Sequence, residues 1–139
     1  MRALRRAWHR VTEPRYLKAA YAAIYLVVLA TGVATLLSPP QSIEGKLGAV
    51  LTILWSVFLI LGGFGGALTV FPGWWWAERL SIMLTFAGIG IYAIVVVSLQ
   101  LISGGSRLTQ LGMILLAGSV FAIRWLLIRR YSFEPRPRE

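Results

Sequence analysis

The stretch FPGWWWAERL, Phe71–Leu80, puts three consecutive tryptophans between a Pro-Gly pair and a Glu-Arg pair. What surrounds it decides the fold. Leu47–Ala77 carries no charge, and neither does Leu80–Ser106, so the tryptophans lie at the junction of two long apolar runs. Ala19–Ile43 is also free of charge, and Leu108–Ile128 is broken only by Arg124. About 20 mostly apolar residues suffice for a helix to cross a bilayer. Four spans are therefore predicted, near 17–37, 47–71, 80–102 and 108–128. Pro72-Gly73 supplies the turn between the second and third.

Composition agrees. Of 139 residues, 58% are hydrophobic and only 14% are charged, and the mean hydropathy is +0.73. A soluble domain is roughly half apolar and a quarter charged. There is no cysteine, which excludes disulfides, thiolate nucleophiles and Cys-ligated metals. Aspartate and asparagine are absent, and arginine outnumbers lysine twelve to two, a bias that points to a GC-rich coding sequence.

The net charge of +9 is distributed as topology signals, not as a nucleic-acid footprint. Six basic residues precede or open the first span, through Lys18, and five lie from Arg124 onward. Lys46, Arg79 and Arg107 fall one in each connection. With both termini in the cytoplasm, all but Lys46 and Arg107 lie inside, as the positive-inside rule requires. An even number of spans demands termini on one side, so charge and count agree. The connections are short, which makes consecutive spans antiparallel neighbours. The expected fold is all-α: a polytopic membrane protein with an antiparallel four-helix transmembrane bundle over 14–130.

Residues 1–13 read as a basic amphipathic arm. Leu4, Ala7, Trp8 and Val11 recur at helical spacing opposite Arg2, Arg5, Arg6, His9 and Arg10. Such a helix lies in the plane of anionic headgroups; the plainer reading is a basic tail that only sets orientation. The apolar stretch after it is too long for a signal peptide and has no A-x-A-like cleavage site, so the first span is expected to be retained. Residues 131–139, with two prolines and mixed charge, are expected to be an irregular cytoplasmic tail.

Adjacent helical residues fan out by about 100°. Trp74, Trp75 and Trp76 thus cannot face one groove, and with Trp8 they read as interfacial anchors. The other reading of the indoles is a ligand or lipid site. Glu78 suits the dipole of the third helix at its first turn. Arg124, the one charge well inside a span, can snorkel to the interface or pair with Glu78.

Small and hydroxyl residues follow helical faces: Thr52, Ser56, Gly63 and Gly66 in span 2, Ser81, Thr85 and Gly88 in span 3, Thr109, Gly112 and Ser119 in span 4. Gly62 and Gly66 form a GxxxG pair. Such residues let backbones approach, and hydroxyls are expected to bond across the contact. Gly62, Gly66, Gly88 and Gly112 are the expected helix-packing positions. Whether the partner helix is in the same chain or a second copy stays open.

Signatures of catalysis are missing from the sequence. The single histidine, His9, precludes bis-His haem ligation within the chain. No carboxylate lies at mid-span for a proton relay, and no carboxylate pair, phosphate loop or Ser-His-Asp set is present. No enzyme activity, cofactor or metal is expected.

The whole layout resembles small four-span, holin-like membrane proteins of actinobacterial phages. It consists of an Arg-rich arm, four spans, the WWWAERL turn and the LLIRRYSFEPRPRE tail. The resemblance implies a protein that oligomerises in the bacterial cytoplasmic membrane and permeabilises it during phage lysis. Faces carrying Gly62 and Gly66 would then mediate assembly, and the arm would hold the N-terminus inside. Two further readings remain: an accessory or partner-binding subunit, including one for superinfection exclusion, and a DoxX-like oxidoreductase subunit. In each, the partners are anionic lipid and a further membrane protein, of this or another kind.

Overall fold

The computed structural model describes residues 15–39, 49–102 and 106–129. The arm with Trp8, the first connection and the tail lie outside the described residues. Four helices follow one another: α1 (Arg15–Leu37), α2 (Ala49–Thr69), α3 (Trp75–Ile102) and α4 (Leu108–Arg129). Each contains a stretch, 21 to 28 residues long, that is apolar enough to cross a membrane. Leu37, Leu101 and Leu115 are more than 70% exposed. Apolar surface on this scale suits contact with hydrocarbon rather than water. The chain has the layout of a small multi-pass membrane protein.

The ends follow local chemistry. Ser38 N–H bonds the Ala34 carbonyl, and Pro39, which cannot extend the ladder, follows. α2 stops at Thr69, two residues before the expected limit. Gly73, with φ of 73°, takes the left-handed conformation, and the amides of Gly73 and Trp74 both donate to the Thr69 carbonyl. This Schellman-type closure satisfies a carbonyl that the helix end orphans.

α3 starts five residues earlier than expected and takes in Trp75 through Arg79. The sequence reading put Glu78 in the first turn of this helix but counted Arg79 in the connection; both side chains bond α4. At 28 residues, α3 is about 42 Å long. That exceeds a hydrocarbon core of roughly 30 Å, so its ends reach the interface.

Consecutive helices pack against each other, with α2 between α1 and α3. A Cβ on Gly63 would lie 2.5 Å from the Leu29 nitrogen and 2.7 Å from the Tyr25 carbonyl oxygen of α1. One on Gly62 would meet Thr85 Oγ1 and lie 2.9 Å from the Ser81 carbonyl oxygen of α3. Toward the far end, Trp55 and Leu59 pack with Val95 and Leu99, and Trp55 meets Tyr92 edge-on at 5.0 Å. At the tryptophan end, one apolar cluster takes Tyr25 from α1, Ile82 from α3 and Phe121 from α4, with Val70 from just beyond α2, and Ala67 of α2 packs against it.

The hydroxyls depart from expectation. Ser56, Thr69, Ser81 and Thr85 each donate to the carbonyl four residues back in their own helix. A back-bonded hydroxyl is satisfied without a partner helix, so close packing here rests on the glycines.

Candidate functional site

Three helices bring residues at the same spacing, i, i+3 and i+7, to the tryptophan end. They are Lys18, Tyr21 and Tyr25 on α1, Trp75, Glu78 and Ile82 on α3, and Phe121, Arg124 and Ile128 on α4. That spacing keeps side chains on one helical face.

At the centre, Arg124 Nε donates to Glu78 Oε1 at 2.6 Å, and a terminal guanidinium nitrogen donates to Oε2 at 2.9 Å. The fork is bidentate, the strongest form of this pair. Both side chains are fully buried. Tyr25 O–H points at Oε1 from 3.4 Å, and the Arg124 guanidinium carbon lies 4.6 Å from the centre of the Tyr21 ring. Phe121 completes the surround, 5.6 Å from Tyr25. The pairing read from the sequence is thus present, and Arg124 does not snorkel. With both carboxylate oxygens engaged, the arrangement fixes helix positions rather than presenting a reactive group.

Basic side chains also close the helix ends. Arg79 donates to the carbonyls of Ile128 (3.2 Å) and Arg129 (3.4 Å) at the C-terminus of α4. Lys18 donates to the Phe71 carbonyl just beyond α2 at 3.4 Å. Positive charge near C-terminal carbonyls meets the negative end of the helix dipole.

The three tryptophans divide. Trp74 and Trp76 are exposed. Trp75 turns inward and packs against the apolar cluster, with Lys18 Nζ 5.7 Å and the Arg124 guanidinium 6.0 Å from its ring. It is a cation-facing wall of the cluster, not a plain member of a belt. Trp75→Ala should therefore lower thermal stability in detergent by on the order of 2 kcal/mol. Trp76→Ala should leave it nearly unchanged. Equal melting of the two variants would put Trp75 outside the cluster.

The glycines divide too. Gly62 and Gly66 are occupied within the chain: Gly66 lies under the Tyr25 ring, and Gly88 faces Leu59. Gly112 has nothing within 4 Å of a built Cβ and packs on no helix among the described residues.

Sequence reading missed Lys18, Tyr21 and Tyr25. Lys18 looks like a topology signal, and tyrosines near a span end look like anchors. Their shared spacing was the available clue. Comparison with family models, with curated proteins and with solved structures returns no match.

Proposed function

We propose that the chain is a non-enzymatic protein of the bacterial cytoplasmic membrane, with both termini in the cytoplasm, that assembles with its own copies and permeabilises the membrane as holins do. One observation carries this reading. Thr109, Gly112, Leu116, Ser119, Ile123 and Leu126 are all exposed, and they recur along α4 at alternating steps of three and four. That is the spacing of a coiled-coil seam.

In lipid no hydrophobic force drives helices together, and association rests on close packing at small residues. A glycine inside a helix costs about 1 kcal/mol relative to alanine. Gly62, Gly63 and Gly66 offset that cost by close packing within the chain, whereas Gly112 has no such contact among the described residues. The seam carries no charge, so two copies meet without repulsion, and identical spacing lets ridges of one enter grooves of the other. The basic residues at the tryptophan end, beside exposed Trp74 and Trp76, suit an anionic cytoplasmic leaflet.

The absence of native cysteine makes a direct test clean. Ser119→Cys should form a disulfide-linked dimer on oxidation in membranes, and Gly112→Ile in that background should reduce the yield several-fold. Ser56→Cys, buried between helices, serves as control. A Ser119→Cys yield no greater than the control would refute self-association through α4.

A further inference from the structure

The helix that bears the uncovered seam is also the helix least held by its own chain. α2 and α3 each bury eight residues, and α4 buries three: Phe121, Arg124 and Ile128. All three lie in its last three turns, and Gly118, like Gly112, has open space around it. One of the three is charged and meets the acidic side chain of Glu78, and Arg79 beside it holds the end of α4.

We propose that the Glu78–Arg124 pair is a latch that holds α4 against α1 and α3 and thereby restrains assembly through the α4 seam. The inference rests on the assembly reading above. Its physical basis is the difference between apolar and polar contacts in a bilayer. Phe121 and Ile128 find lipid tails nearly as good a neighbour as protein, so they hold α4 weakly. Arg124 and Glu78 find no substitute in hydrocarbon, so while paired they fix one position of the helix. The fork also gives the latch a defined geometry, which a lysine cannot reproduce. Tyr25 and Tyr21 extend the hold to α1. With the latch removed, α4 pivots from its far end, where Gln100 Oε1 accepts the Arg107 amide at 2.6 Å, and its seam meets a second copy with fewer constraints.

Glu78→Leu/Arg124→Met removes the latch without leaving a buried charge, so the chain keeps its fold. Two readouts are needed. Spin labels at Met83→Cys and Leu127→Cys, both exposed positions outside the cluster, report the α3–α4 distance in protein diluted with unlabelled chain. Ser119→Cys cross-linking reports assembly. The latch predicts a single narrow distance in the parent and a broad distribution in the double variant. Cross-linking should rise at least three-fold in the double variant, with Arg124→Lys in between. A distribution that stays narrow in the double variant overturns the latch, whatever the cross-linking. Broadened distances with unchanged cross-linking overturn its control of assembly. Absence of cross-links from every variant overturns the assembly reading itself.

Discussion

Glu78→Gln should lower the stability of the protein in detergent by about 3–5 kcal/mol, the range found when one partner of a buried pair is removed. The loss arises less from the missing attraction than from what remains. Arg124 is fully buried and packed on Tyr21, and without the carboxylate its charge loses the bidentate acceptor that satisfies it. Glu78→Leu/Arg124→Met should melt within about 1.5 kcal/mol of the parent, because buried pairs are often replaced by apolar residues at little cost. A thermal melt of the three proteins checks both statements. A single variant as stable as the parent would mean that the pair does not hold the helices together.

Gly63→Val should be the most damaging change among the glycines, with a loss of about 3 kcal/mol or more. The atoms that a Cβ would strike are the backbone nitrogen of Leu29 and the carbonyl oxygen of Tyr25. Backbone in a helix cannot step aside, so α1 and α2 must separate. That separation would also withdraw Tyr25 from Glu78. Gly90→Ala is the contrasting change: nothing lies within 4 Å of its Cβ position, and greater helix propensity should stabilise the chain by up to about 1 kcal/mol. Equal melting temperatures for the two variants would contradict the α1–α2 contact described here.

Much of this arrangement is legible in the sequence, for definite reasons. Three charge-free runs and a fourth broken only by Arg124 give four helices, because charge in hydrocarbon is costly wherever it has no partner. Glu78 and Arg124 can be paired on paper because each lies near the same end of an antiparallel helix and Arg124 is the one charge well inside a span. The start of α3 is not legible by that logic. Charge at Arg79 marks a connection only if nothing in the fold receives it, and the last carbonyls of α4 receive it. The glycines show a different limit. Gly62 and Gly63 are adjacent, yet one faces α3 and the other α1, and spacing alone does not say which neighbour each face meets. Gly112 looks like the others in sequence and differs in having nothing within 4 Å of its Cβ position among the described residues. Hydroxyl bonding is similarly hidden, since serine and threonine satisfy themselves within their own helix as readily as across a contact.

We propose that this chain acts on the membrane by assembling within it. The most direct measurement is controlled expression in a bacterium, with growth, membrane potential and escape of a cytoplasmic reporter enzyme followed together. Assembly in the membrane should give an abrupt arrest with depolarisation at a set time after induction, delayed or lost in Gly112→Ile at equal protein level. Continued growth with membrane potential intact, and the protein verified in the membrane, would contradict it.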